Sequence, residues 1–417
     1  MTRGRNSERW LRLPRRVRTR AELPSDRREA RRVILLLVTA DQSVKLLYPH
    51  CRVLRDRGWT VHVASSPGPN LESLRASGFE THPIAMRRDV SPARDAVGLV
   101  RITLLLWKLK PDVVSAGTPK AGLLGTLAGA VTPKVKSVYL VRGLPLETAV
   151  GLKRKILMAT ERLACRSADS VLTISRSLET RLDDLRICDP KKMRTLGPGS
   201  SKGVDIDRFV PDESSRQHAE STRRTLTEPI LGYIGRIAPD KGLDILADSL
   251  SILAARGVRG TLLVIGNDDS PASAAIRARL DRSDWTVVQR PYEPAVERVY
   301  PVLDILCVPS RREGFGNVVL EAALAGVPSV GMSVTGVVDA IVDGSTGLIA
   351  HASGAAAYAA CIEKLAADEH LRTRLGTAAR ERVVEQFGED AVCTRYVQHY
   401  ESLTPAPSDE RQRRGSW

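Results

Sequence analysis

The stretch Arg31-Arg32-Val33-Ile34-Leu35-Leu36-Leu37-Val38 runs from two arginines into unbroken apolar sequence and stops at Thr39-Ala40-Asp41-Gln42-Ser43. Such a run is too short for a buried helix and does not alternate. It therefore reads as a strand covered on both faces, as in a parallel sheet. Residues 46–57 then show helical spacing and end at Gly58, a helix-stop signal, after which Trp59-Thr60-Val61-His62-Val63-Ala64 reads as a second strand. The unit is β-α-β.

Working outward, strand-like runs recur at Val113-Val114, 138–141 and 171–174, with helical segments such as 99–109 and 156–164 between them. This rhythm predicts one doubly wound α/β domain over residues 31–200. The stretch 197–228 is rich in Gly, Pro, Ser and charge, so a linker is expected over 201–225. The rhythm then restarts at 230–234, 261–265, 286–288, 305–308 and 329–331, predicting a second doubly wound domain over 226–385. Residues 386–404 are expected to form a C-terminal helix that packs back on the N-terminal domain, and the polar tail 405–417 is expected to be disordered.

Bulk properties agree with two soluble domains. The chain has 417 residues, 42% hydrophobic and 27% charged, with only 4% aromatic, so the cores must be aliphatic. Six scattered cysteines form no C-x-x-C pair and no His-Cys cluster, which points to reduced thiols in a cytoplasmic protein. The most apolar window, 113–132, is broken by Pro119 and Lys120, so no transmembrane helix is expected.

The net charge of +15 is uneven. Residues 1–32 hold twelve arginines against Glu8, Glu22, Asp26 and Glu29, a net of +8. No apolar segment of signal-peptide type follows these charges. Residues 1–30 read as a basic disordered arm that could be a solvated tail, a nucleic-acid clamp or an anchor for anionic lipid. The basic, apolar segments 99–110 and 151–163 fit either membrane-facing amphipathic helices or core helices with solvated rims.

Two loops carry candidate chemistry. In Arg312-Glu313-Gly314-Phe315-Gly316-Asn317-Val318-Val319-Leu320-Glu321, an apolar strand leads into a loop holding Glu313, and a helix begins near Gly316 with Glu321 on its first turns. Ligands of open α/β sheets collect at this carboxyl end of the strands, where free helix N–H groups attract anions. The glycines around Phe315 let the backbone approach a ligand closely. Upstream, Gly232-Tyr233-Ile234-Gly235-Arg236-Ile237-Ala238-Pro239-Asp240-Lys241-Gly242 also follows a strand. Arg236 supplies a planar donor fork and Lys241 a mobile charge, together able to neutralise a diphosphate.

These residues resemble the retaining glycosyltransferases of family 4, which have the GT-B fold. The resemblance rests on Gly235-Arg236 with Lys241-Gly242, the Glu313 to Glu321 spacing, Glu321-Ala322 followed by Ala325-Gly326-Val327-Pro328, and Gly336 with Asp343-Gly344-Ser345-Thr346-Gly347-Leu348. It implies two doubly wound, Rossmann-like domains facing a cleft, and catalytic roles for Arg236, Lys241 and Glu313. It further implies contacts to a nucleoside diphosphate sugar, with UDP expected, from Gly235, Gly314, Phe315, Gly316, Asn317, Val318 and Glu321; Asn267, in an Asn267-Asp268-Asp269 run that could hold a metal, follows the strand 262–265 and reads as part of a turn lining the cleft and contacting the donor. In that family the residue matching Glu313 contacts the donor sugar and the one matching Glu321 holds the ribose hydroxyls.

In the N-terminal half, Ala116-Gly117-Thr118-Pro119-Lys120-Ala121-Gly122-Leu123-Leu124-Gly125 and Arg142-Gly143-Leu144-Pro145-Leu146-Glu147-Thr148 resemble bacterial enzymes that extend lipid-linked sugars for capsule, exopolysaccharide, O-antigen or N-glycan precursors. The resemblance places acceptor recognition in this half, with Asp41, Thr118, Lys120, Arg142 and Glu147 as candidates and a lipid-diphosphate-linked saccharide as partner. This chain departs from the family in its first loop, where Thr39 to Ser43 stand in place of a glycine pair. No cofactor and no metal ion are expected. Asp205-Ile206-Asp207 has the form of a metal-binding D-x-D pair but sits in what resembles an interdomain turn. The alternatives are a nucleotide-sugar epimerase or hydrolase of the same fold and, from a different class, a basic nucleic-acid-binding protein.

Overall fold

The computed structural model describes residues 32–87 and 91–404; the basic arm 1–30 and the tail 405–417 lie outside the described residues. Among the described residues, thirteen strands form two sheets. The first holds β1 (Val33–Leu37), β2 (Thr60–Ser65), β3 (Glu80–Pro83), β4 (Val113–Gly117), β5 (Lys136–Val141), β6 (Ser170–Thr173) and β7 (Met193–Thr195), in the order β3-β2-β1-β4-β5-β6-β7. The second holds β8 (Ile230–Ile234), β9 (Thr261–Ile265), β10 (Thr286–Arg290), β11 (Ile305–Val308), β12 (Ser329–Met332) and β13 (Gly347–Ala350), in the order β10-β9-β8-β11-β12-β13. Every pairing is parallel. Two doubly wound domains, the architecture expected from the strand-helix rhythm, are what the chain forms.

The opening run behaves as a doubly covered strand should. Leu35 lies between His62 and Val114 in register. Leu35 and Leu37 pack with Ile102, Leu106 and Leu124 on one face of the sheet. Ile34, Leu36 and Val38 pack with Cys51, Leu54 and Tyr396 on the other. Strands β3, β7 and β13 have no counterpart among the expected ones. They sit at sheet edges, where one neighbour is missing, and β3 and β7 accordingly lack a continuous apolar run: Glu-Thr-His-Pro and Met-Arg-Thr.

Much of the stretch 201–225, read from composition as a linker, is helical. Asp205 and Asp212 cap the helices Ile206–Phe209 and Glu213–Arg223, accepting from the Arg208 and Ser215 amides at 3.1 and 2.8 Å. Arg223 then binds Asp304 Oδ1 at 2.8 Å and the Val302 carbonyl at 2.9 Å, fastening this segment to the second domain. Composition could not show this, because capping residues and loop residues are the same residue types.

The last helix, Glu389–Leu403, follows the second domain but lies on the first sheet beside the helix Tyr48–Asp56. The hydroxyls of Ser115 and Tyr400 are 2.9 Å apart, His399 Nε2 lies 2.9 Å from Ser170 Oγ, and Tyr396 donates to the Ser200 carbonyl at 2.9 Å. Burial holds the His399 pKa down at about 4, so at neutral pH it is an uncharged packing residue.

Candidate active site

The site grows from two neighbouring strands, because β8 pairs with β11 and both end at the same edge of the second sheet. After β8 the chain forms the loop that carries Arg236 and Lys241, then enters the helix Leu243–Ala255 at Gly242. Gly242 has φ +68°, and a β-carbon there would collide with the Pro309 carbonyl. Only glycine lets this loop press against the one that follows β11. The contact brings the Lys241 ammonium onto the Glu313 carboxylate, which also accepts from Ser310 Oγ at 3.0 Å.

Arg236 pairs with Asp269 and lies 3.4 Å from Asp240, which Arg312 also reaches at 3.1 Å. Burial pulls the Arg236 pKa down, but the Asp269 and Asp240 carboxylates outweigh it and the net shift is upward. The group stays charged. Tyr233 donates to the Arg236 carbonyl at 2.6 Å and fixes the loop beneath the guanidinium.

The helix Asn317–Leu324 starts at Gly316 and directs its free amides to the same edge. On that helix Glu321 accepts from the fully buried Tyr300 hydroxyl at 2.6 Å. Burial raises the Glu321 pKa, partly countered by this hydrogen bond. Tyr300 holds one carboxylate oxygen, orienting the other.

Some expected contacts take a different form. The Phe315 side chain is buried, with its ring 5.4 Å from that of Phe387, so only its backbone is at the loop surface. Val318 packs against the core, and Asn267 spends its side-chain oxygen on the Tyr292 amide at 3.0 Å, tying down the loop after β10. Gly235 donates its amide to the Ile265 carbonyl at 3.0 Å.

The N-terminal residues fall into two groups. Arg142, just after β5, abuts the second domain with its backbone while its side chain turns inward beside Gly117: a β-carbon on Gly314 would overlap the Arg142 carbonyl, so the Glu313 loop and the end of β5 touch. Arg142 Nη1 donates to Ser201 Oγ at 3.3 Å, while its buried Nε has no partner. Glu147 reaches across to Thr335, accepting its hydroxyl at 2.7 Å, and Arg181 Nε lies 3.6 Å from the same oxygen. The other carboxylate oxygen of Glu147 is buried without a partner.

Thr118, Lys120 and Asp41 are engaged within the first domain. Thr118 Oγ1 lies 2.8 Å from Thr39 Oγ1, and Lys120 Nζ is 2.6 Å from Asp95. Asp41 caps the helix Pro69–Ala76, accepting from the Asn70 and Leu71 amides at 3.2 and 2.8 Å and from Asn70 Nδ2 at 2.5 Å. Asp41, expected among the acceptor-side candidates, serves as a helix cap, because the loop 39–43 lies over that helix start.

Sequence reasoning missed a set of residues that join the domains. Asp339, on the short helix Val337–Ala340, accepts from the Arg176 and Ser177 amides at 2.8 and 3.2 Å and from the Ser177 hydroxyl. Ser177 Oγ in turn accepts from the Gly336 amide at 2.8 Å. One domain thus caps a helix of the other, a relation between residues 163 positions apart that no local pattern reveals.

Residues 214–382 match the family of glycosyl transferases group 1, and residues 48–199 match the glycosyl transferase 4-like domain. The capsular polysaccharide biosynthesis glycosyltransferase CapM of Staphylococcus aureus is 35% identical over 367 residues, covering 86% of this chain and 94% of the relative. The chain belongs to the family 4 glycosyltransferases. A D-inositol 3-phosphate glycosyltransferase of Kribbella flavida is 29% identical over 60% of each chain. Among solved structures, Anabaena Alr3699/HepE in complex with UDP-glucose superposes with a TM-score of 0.74 at 17% identity, covering 89% of this glycosyltransferase and 99% of that protein. The fold of this glycosyltransferase is therefore GT-B. Its interdomain edge, where Arg142, Glu313, Gly314 and Gly336 meet, is the candidate active site.

Proposed function

We propose that this glycosyltransferase moves a hexosyl group from a UDP-sugar, with retention of anomeric configuration, to a lipid-diphosphate-linked saccharide during capsular polysaccharide assembly at the cytoplasmic face of the membrane. The observation that carries this reading is the convergence of Arg236, Lys241, Glu313 and the start of the helix Asn317–Leu324 at the ends of β8 and β11. The capsular role is supported by the relation to CapM, and UDP by the Anabaena protein, which has been solved with UDP and with UDP-glucose.

The chemistry follows from charge. Breaking the glycosidic bond to a diphosphate leaves negative charge on the departing phosphate, and preorganised cations and helix amides stabilise that charge most when water is excluded. Arg236 and Lys241 exchange their present carboxylate partners for phosphate oxygens, and Glu313, released from Lys241, turns to the hydroxyls of the donor sugar. Glu321, oriented by Tyr300, accepts from the ribose. With the acceptor on the same face as the leaving group, the departing phosphate oxygen takes the acceptor proton, and the new bond forms where the old one broke.

Screening UDP-, GDP- and ADP-sugars by thermal shift and donor hydrolysis tests this. A donor at a hundred times its dissociation constant stabilises the fold by about 2.7 kcal/mol, a readily measured shift in Tm. Stabilisation by GDP- or ADP-sugars and not by UDP-sugars would replace the donor assignment.

A further inference from the structure

In the first domain, the helices Pro92–Leu109, Pro119–Ala130 and Gly151–Ser167 pack side by side. The first two cover the sheet face opposite the C-terminal helix, packing Ile102, Leu106 and Leu124 on Leu35 and Leu37, and the third lies beside the second with its Glu161 bonded to Tyr139 of β5. The helix Pro92–Leu109 is apolar on two sides. Gly98, Ile102 and Leu106 are buried against the sheet, while Val97, Val100, Leu104 and Trp107 form a second stripe, each 52 to 57% exposed. The helix Gly151–Ser167 repeats the pattern with Leu152, Ile156 and Leu163 at helical spacing and exposed.

Of the thirteen large apolar side chains most exposed among the described residues, nine lie on this one layer. A concentrated apolar face on a folded domain marks a surface that leaves water in the working state.

The charges on the layer are one-sided. Arg94, Arg101 and Lys108 run beside the first stripe, and Lys155, Arg162 and Arg166 beside the second, all exposed. The acidic residues of these helices do not offset them: Asp95 is paired with Lys120, and Glu161 is buried on the Tyr139 hydroxyl at 2.8 Å.

We infer that this face docks on an anionic lipid bilayer, the apolar stripes entering the interfacial region and the flanking bases meeting acidic headgroups. A two-fold dimer through the same face would set these bases against themselves, whereas anionic lipid neutralises all of them. In a parallel sheet the helices that follow strands begin at the carboxyl edge, which is the edge of the candidate active site. There the layer is most exposed, with Val150 at 82% and Leu152 at 73%, a few residues beyond Arg142 and Glu147. The inference deepens the proposed function by naming the surface that brings a lipid-linked acceptor to the cleft, and it rests on that reading for its purpose though not for its test.

The test uses the full chain and sedimentation with vesicles, either phosphatidylcholine alone or phosphatidylcholine and phosphatidylglycerol in equal parts. Two triple variants are compared with the parent: Val100→Ser/Leu104→Gln/Trp107→Ser, and Arg101→Glu/Lys108→Glu/Lys155→Glu. All six positions are exposed and outside the catalytic machinery, and an unchanged Tm and unchanged UDP-sugar hydrolysis verify that each variant is intact. The parent is expected to favour the anionic vesicles, and each variant to bind them at least tenfold more weakly. Vesicle binding unchanged in both variants overturns the inference and leaves any lipid binding to another part of the chain. So does a concentration-dependent dimer lost in the apolar variant, which makes the face a contact between copies. Either result leaves the donor assignment standing, while absence of UDP-sugar hydrolysis with vesicle binding intact fails that assignment alone.

Discussion

At the residue scale the two glutamates are separated by their partners. Glu313 shares its carboxylate between Lys241 and Ser310, whereas Glu321 is held by Tyr300 on the adjoining helix. Glu313→Gln is expected to lower kcat roughly a hundredfold with little change in affinity for free UDP, the pattern of a group that acts on the reacting sugar. Glu321→Gln is expected to weaken UDP binding about tenfold by calorimetry, since a charged hydrogen bond contributes about 1.5–3 kcal/mol. Equal losses for both would contradict the division of roles. In the proposed reading Arg236 and Lys241 supply the positive charge for the diphosphate, so EDTA is expected to leave the transfer rate nearly intact. Loss of activity restored by Mg²⁺ would shift that role to Asp205 and Asp207, although Asp205 caps the helix Ile206–Phe209.

At the scale of the element, the helix Gly151–Ser167 carries an internal titratable group as well as its exposed stripe. Glu161 is 4% exposed and bound to Tyr139, and burial, only partly countered by that bond, pushes its pKa up to about 7. An acid whose pKa is raised by folding binds more protons folded than unfolded, so stability is greatest below the unfolded value and falls as pH rises through about 7. Glu161→Gln keeps the shape and removes the charge. The variant is expected to melt above the parent at pH 8, by on the order of 2–3 kcal/mol, and the gap is expected to close toward pH 5. A constant difference across that range would show that Glu161 does not titrate.

At the scale of the whole molecule, Asp339 latches one domain to the other through the amides of Arg176 and Ser177 and the Ser177 hydroxyl, and Gly336 beside it joins the same bond network. Closure of two domains assembles a site and excludes water. Asp339→Ala is expected to lower kcat for transfer about tenfold while leaving UDP affinity within a factor of two, because the proposed nucleotide contacts all lie in the second domain. A matching loss of UDP affinity would place Asp339 in the donor site instead. Inversion needs a general base opposite the leaving group, and Asp41, the carboxylate of the first loop, is committed to the helix Pro69–Ala76. An α-linked UDP-sugar is therefore expected to give an α-linked product, read from the coupling constant of the new anomeric proton. A β-linked product would mean inversion.

The sequence by itself determined the two parallel sheets, because doubly covered strands must be apolar without alternation, as in Val33 to Leu37 and Ile305 to Val308. It also marked the Arg236, Lys241, Glu313 and Glu321 constellation, since strand-end loops with glycine and charge leave a local pattern. The sheet edges escaped it, because a strand such as Glu80–Pro83 has one neighbour and little apolar signal. So did the helices of 206–223, whose caps read as loop. Only the tertiary structure decided that Asp41 is a cap, that Phe315 turns inward against Phe387, and that Asp339 belongs to Ser177. Each depends on a partner distant in the chain, and a residue's chemistry is set by whichever neighbour the fold delivers to its polar atoms, a quantity that spacing along the sequence does not contain.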